Sequence, residues 1–193
     1  MLNKNNQNGR STIEMLAVLA IIAILTVGGI AGYSKAMSKF KTGKVLDQTQ
    51  SIIVEIRTFY SGSNDYNGLN TASAVNNQIL TGNIVISNNA RHAFGGEYRV
   101  GRDIDGTTGI IGDKSFYVSL YDLGQSSCIN ILSAAWADSA ASGLALIKVR
   151  NSNGTTDFTW GNPNADLALP VDLNKAGKIC ANDASNIIGL EYN

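Results

Sequence analysis

Residues 9–33 read GRSTIEMLAVLAIIAILTVGGIAGY, and positions 15–33 of that stretch carry no charged side chain. At a helical rise of 1.5 Å per residue those 19 positions span roughly 28 Å, close to the hydrocarbon thickness of a bilayer. A core helix of a soluble domain usually keeps one polar face, and this stretch has none, so it reads as a membrane-inserted helix. A conventional secretory signal is the competing reading, because Gly28, Gly29, Ala31 and Gly32 loosely offer small residues after an apolar run. Two features oppose it: the run is longer than a normal h-region, and Glu14 stands immediately before it.

A carboxylate at the edge of a membrane helix is costly unless it stays at the interface or finds a cation. The positive end of the helix dipole offsets part of that cost. In a monomer Glu14 rests among the headgroups; in an assembly it pairs with the N-terminal amine or with Arg10 of a neighbour, which would fix the axial register between subunits. Charge elsewhere is balanced, with 15 Lys plus Arg against 15 Asp plus Glu, so the total selects no polyanionic partner and leaves nucleic acid undecided. The densest basic cluster, Lys35, Lys39, Lys41 and Lys44, follows the apolar run and reads as a solvated or membrane-proximal helix face. A chain of 193 residues accommodates one ordinary domain, or a long helix with a smaller head.

The segment from Gly9 to Leu16 (GRSTIEML), running into AVLAIIAIL, resembles the class III signal of type IV pilins and of the pseudopilins of type II secretion. The resemblance implies cleavage between Gly9 and Arg10 by a prepilin peptidase, methylation of the new N-terminus, and Glu14 as fifth residue of the mature chain. Arg10 stands where the family usually has a large apolar first residue. It further implies residues 1–9 as leader, 10–60 as anchor and assembly helix, and 61–193 as a globular head. The partners it implies are the lipid bilayer before assembly, an inner-membrane assembly platform, and copies of the same chain in a helical filament. The location is then the bacterial inner membrane by a single N-terminal pass, followed by an extracellular pilus or a periplasmic pseudopilus.

Beyond the apolar run, Tyr33, Met37, Phe40, Val45, Thr49, Ile52, Ile56 and Phe59 recur at spacings of three to five, as expected of an amphipathic helix. One helix is therefore expected over about residues 12–60, roughly 73 Å at the standard rise, with a head covering residues 37–59. Gly28, Gly29 and Gly32 each weaken such a helix by roughly 1 kcal/mol relative to alanine. They read either as ordinary membrane-helix glycines that permit close helix contact or as the place where the helix bends or stretches in a filament.

After residue 60 the texture becomes polar and turn-rich, with a short helix expected over 72–80. Strands are expected at 83–86, 97–100, 115–121 and 144–149, with a final one at 187–190. A helix over 125–137, with Ile129, Leu132 and Trp136 on one face, should dock on the sheet, and residues 168–173 look extended. The fold class is thus α+β: a long N-terminal helix, membrane-spanning in its first half, packed on a small, mostly antiparallel sheet. The order resembles the head of type IVb pilins. Cys128 and Cys180 read as free thiols in a cytosolic head and as a disulfide in an exported one; the resemblance implies export and so favours the bond.

No residue pattern supports catalysis or a cofactor. His92, the only histidine, lies in the polar stretch NNARHAFGG and reads as a surface or turn residue. Asp103 and Asp105 before Gly106 lack the later acidic ligand of a calcium loop, and Asp157, Asp166 and Asp172 matter only if they converge in space. Tyr60, Tyr66, Trp136 and Trp160 read as packing residues. The leading reading is a structural pilus subunit; a type II pseudopilin is the alternative, and an anchored binding protein or enzyme the third.

Overall fold

The computed structural model describes residues 10–63, 65–80, 85–86, 89–102, 114–134, 143–151, 158–160, 169, 171–181 and 186–193. The chain begins with α1 (Arg10–Phe59), which matches the expected helix to within two residues at its start and one at its end. Compactness divides the chain into two units, one reaching Phe40 and the other comprising Lys41–Asn193.

In the second unit the rest of α1 is followed by α2 (Thr71–Asn76), β1 (Val85–Ile86), β2 (Asn89–Ala90), β3 (Tyr98–Gly101) and β4 (Phe116–Leu123). Then come α3 (Gln125–Leu132), β5 (Leu144–Arg150), β6 (Phe158–Trp160), α4 (Leu173–Ile179) and β7 (Asn186–Tyr192). Strands β1 and β2 form a small hairpin pair, and the other five make one sheet in the order β3-β4-β7-β5-β6, with every pairing antiparallel. The last strand in sequence thus occupies the middle of the sheet, hydrogen-bonded on both edges.

Side chains alternate between the faces of a pleated strand, and the register fixes which residues share a face. Tyr98, Leu120, Ile188 and Val149 form one row across four strands, and Val100, Val118, Leu190 and Ile147 the next. All eight are at most 1% exposed, so this face is the core. The opposite face carries Arg99, Ser119, Gly189 and Lys148 in the intervening row.

Helix α1 meets that core through Val45, Thr49, Ile52, Ile53 and Ile56, all buried. The spacing of four, three, one and three keeps them within one stripe of a 3.6-residue helix. Ile53 extends the stripe read from sequence, whereas Phe40 at 67% and Phe59 at 52% exposed fall outside it, as does Tyr33. Full burial therefore begins at Val45, eight residues later than the expected start of coverage at residue 37.

The short helices depart from expectation in three ways. Helix α2 stops at Asn76; Asn70 closes its start with a capping box, its side chain accepting from the Ser73 N–H at 2.8 Å while the Ser73 hydroxyl accepts from the Asn70 N–H. Helix α3 ends at Leu132, and its buried face carries Cys128, Ile131 and Leu132, with Ile129 only half-buried. A helix with no counterpart in the sequence reading covers residues 173–179, taking in only Leu173 of the stretch expected to be extended, because Asp172 accepts from the N–H groups of Asn174 at 2.9 Å and Lys175 at 3.4 Å and so opens α4. Trp136 lies outside the described residues.

The stripe gives a direct test. Ile56→Ala should lower the unfolding free energy of the detergent-solubilised chain by about 2–5 kcal/mol, since it deletes most of a fully buried side chain. Val54→Ala, at a position 60% exposed on the same helix, should change it by no more than about 0.5 kcal/mol. Equal losses for the two in urea titrations would refute the assigned face.

Candidate assembly helix and head anchorage

In the first unit the apolar side chains of α1 from Ile13 to Tyr33 are exposed among the described residues: Ile24 is 74% and Val27 71% exposed. The helix contains a window of mean hydropathy 2.5, and it is long and apolar enough to cross a membrane. Glu14 is exposed, one helical turn after Arg10, the first residue of α1. Gly9 lies outside the described residues. Helix α1 passes through Gly28, Gly29 and Gly32 without interruption, and a Cβ added at any of the three would meet nothing within 4 Å. Among the described residues, no contact calls for glycine at these positions.

In the second unit two side chains tie α1 to the sheet. The Tyr98 hydroxyl, on β3, donates to the Val45 carbonyl at 3.2 Å, and the Thr49 hydroxyl donates to the same carbonyl at 2.8 Å. Burial pushes the Tyr98 phenol above its usual range, only partly opposed by the contact with Thr49. More than two turns further along, Arg57 donates to the Asn193 carbonyl at 2.9 Å and lies over the rings of Tyr192 at 5.6 Å and Phe116 at 5.9 Å. The Asn193 N–H in turn donates to Gly143, where φ is +78° and a Cβ would approach the Arg57 guanidinium to 2.5 Å. A side chain at 143 would push Arg57 off the end of β7.

Cys128 on α3 and Cys180 at the end of α4 form a disulfide, with Cα atoms 5.9 Å apart and 52 positions between them in sequence. It works together with three amides. The Gln125 amide donates to the Cys180 carbonyl at 3.2 Å, and Asn151 donates to the Ile179 carbonyl at 3.0 Å, so two carbonyls left open at the helix C-terminus are filled. Asn186, fully buried, accepts from the Ala181 N–H and donates to the carbonyls of Ala181 and Leu123.

His92 corrects the sequence reading in part. It does sit in a turn, closed by the Gly95 N–H donating to the His92 carbonyl at 2.8 Å, but it is only 3% exposed. Sequence could not show this, because the cover comes from Tyr121 on β4 and Tyr98 on β3. Asp103, Asp105, Gly106, Asp157 and Asp166 lie outside the described residues, and Asp172 serves as the cap of α4. Tyr60 and Tyr66 stack in a chain of rings leading to Phe116 and Tyr192, at centroid distances of 4.7–5.6 Å.

No family model and no curated relative matches this sequence. Among solved structures, the chain is similar to TcpA, a type IV pilin from Vibrio cholerae El Tor biotype, with a TM-score of 0.53 at 14% identity, covering 79% of this chain and 99% of that one. It is also similar to the type IV b pilin from Salmonella typhi, with a TM-score of 0.53 at 19% identity over 78% of this chain and 99% of the other. The chain therefore has the type IV pilin fold, an α+β arrangement of a long N-terminal helix and an antiparallel sheet.

The anchorage predicts an uneven response to reduction. Closing a loop of this size contributes about 4 kcal/mol on chain-entropy grounds, so loss of the bond should lower stability measurably. Hydrogen exchange should rise first in α4, whereas β7, paired on both edges, should stay protected. Early exchange in β7 with α4 protected would overturn this assignment of what the bond holds.

Proposed function

We propose that the chain is a structural subunit of a type IV pilus, of the type IVb kind, held in the inner membrane by α1 before assembly and built into the filament through the same helix. The observation that carries the proposal is the conjunction in one helix of an unbroken apolar stretch preceded by Glu14 and a buried stripe that belongs to a pilin-fold head. The pilin neighbours support the fold half of that argument. Their identities of 14% and 19% leave the function to be argued from the residues.

On this reading residues 1–9 form a leader removed by a prepilin peptidase at the cytoplasmic face, and an inner-membrane platform extracts the mature subunit. Apolar side chains that face lipid in the membrane then face neighbouring helices, which removes the exposed surface without refolding the head. Gly28, Gly29 and Gly32 serve the filament rather than the monomer, since none of the described residues fills the space their missing side chains leave. Glu14 is the register group: inside a helix bundle an unpaired carboxylate is expensive, and the N-terminal amine of the next subunit relieves it. The role is structural, and the head is outside the cytoplasm, where Cys128 and Cys180 are stable as a disulfide.

The test combines processing and assembly. N-terminal sequencing of the mature protein should begin at Arg10, and Glu14→Ala should leave it in the membrane fraction at undiminished level while filament yield falls to background. A mature start within residues 29–35 would establish conventional signal removal. Normal filaments from Glu14→Ala would remove the register role, and assembly confined to the periplasm would assign a pseudopilin instead.

A further inference from the structure

His92 is built into the head in a way that the filament reading does not use. Its Nε2 lies 2.8 Å from the Tyr121 carbonyl, and its Nδ1 lies 3.3 Å from the backbone N–H of Phe94. A carbonyl only accepts and an amide N–H only donates, so the two contacts together select the neutral ring with its proton on Nε2. The ring is packed edge-on to Tyr98 at 5.5 Å and to Phe94 at 6.2 Å. The hairpin around it is closed by the His92 N–H donating to the Gly96 carbonyl at 3.0 Å and by Arg91 donating to the Gly95 carbonyl at 2.9 Å. Glycine is required at both tip positions: Gly95 has φ +95°, and a Cβ at Gly96 would collide with the Tyr121 carbonyl and the imidazole.

We propose that the 91–97 hairpin is an acid-released latch, in which protonation of His92 frees the turn from β4 and opens the groove between β2 and β3. Protonation puts a hydrogen on Nδ1, where it confronts the Phe94 N–H; an acceptor becomes a second donor and that bond is lost. The new cation is also buried. Two groups oppose release, the Tyr121 carbonyl, which binds an imidazolium more strongly, and the Asp122 carboxylate beside it on β4. Burial outweighs both and holds the imidazole below its ordinary range. The other charged groups around the turn are Arg91 within it, Glu97 at its end, and Arg99 on β3, whose guanidinium pairs with Glu97 at 3.3 Å and lies 4.1 Å over the Tyr121 ring. On α1, the residues meeting Tyr98 are the neutral Val45, Gln48 and Thr49.

The sign follows from the depressed folded value: the latch is fully closed above the ordinary imidazole range and is lost as pH falls through that range toward the folded value. Between α2, β2 and β3, next to the end of the hairpin at Glu97, lies a cavity of about 220 Å³ lined by Thr71, Asn89, Ala90, Glu97, Tyr98 and Arg99. Release of the turn would widen it, because β2 leads directly into the hairpin and β3 directly out. The latch is a property of the folded head and does not depend on filament formation. A head outside the cytoplasm would meet the acidity of its surroundings directly.

His92 is the only histidine, so its ring proton resonances and any transition in this pH range can be assigned without ambiguity. Amide exchange should be followed by mass spectrometry on the full chain in detergent between about pH 7.5 and about pH 5, corrected for intrinsic rates. Exchange of amides 92–97 should rise severalfold, while β7 is unchanged. The midpoint should coincide with the NMR titration of the His92 ring, and His92→Gln, which keeps a donor and an acceptor but does not titrate, should abolish the rise. Exchange at 92–97 that ignores pH, or an identical rise in His92→Gln, would overturn the proposal. Should His92→Gln fail to fold, the unaltered chain decides alone: a ring that titrates without any change in exchange at 92–97 overturns the latch.

Discussion

Burying the stripe from Val45 to Ile56 of α1 on the apolar face of the sheet is the interaction on which the rest of the head depends. A five-stranded antiparallel sheet with one apolar face must cover it, and the described core is completed by that single helix together with the short α2, α3 and α4. Each fully buried isoleucine contributes roughly 1.5–3 kcal/mol by removal from water, more than either polar tie to the helix. Tyr98 and Arg57 fix where the helix lies rather than whether it binds. Both reach backbone carbonyls, at Val45 and Asn193, so the register of helix on sheet is set at two points more than two turns apart.

The same helix therefore serves two environments. Up to Ala36 its described apolar side chains are exposed and call for lipid or another helix; from Val45 onward its apolar stripe is filled by the head. That division explains why no contact among the described residues accounts for Glu14 or for the three glycines. Their chemistry, a carboxylate beside a hydrocarbon-length run and small residues inside it, becomes intelligible only when other molecules surround the helix.

How much was legible in sequence follows from how local each cause is. The membrane-length helix was readable because absence of charge over 19 residues is a property of consecutive positions. Val45, Thr49, Ile52 and Ile56 were readable from their period, but allowing spacings up to five also admitted Tyr33, Phe40 and Phe59, which the structure leaves exposed. Helix α4 was not read from the sequence. Asp172 as a cap with Lys178 in the last turn was the available signal for α4, obscured by Gly177 in a helix of only seven residues. The central place of β7 had no local signal at all, since it arises from pairing with strands that end 42 and 69 residues before it finishes. His92 failed in the same way: a polar neighbourhood in sequence is a buried one in space because Tyr121 folds over it.

The account stands most directly on whether the chain is the repeating unit of a surface fibre. Filaments sheared from intact cells, purified and analysed by peptide mass spectrometry under non-reducing conditions, should consist mainly of this polypeptide, with Cys128 joined to Cys180. Recovery of the chain only in the membrane fraction, with surface filaments built from another protein, would contradict it.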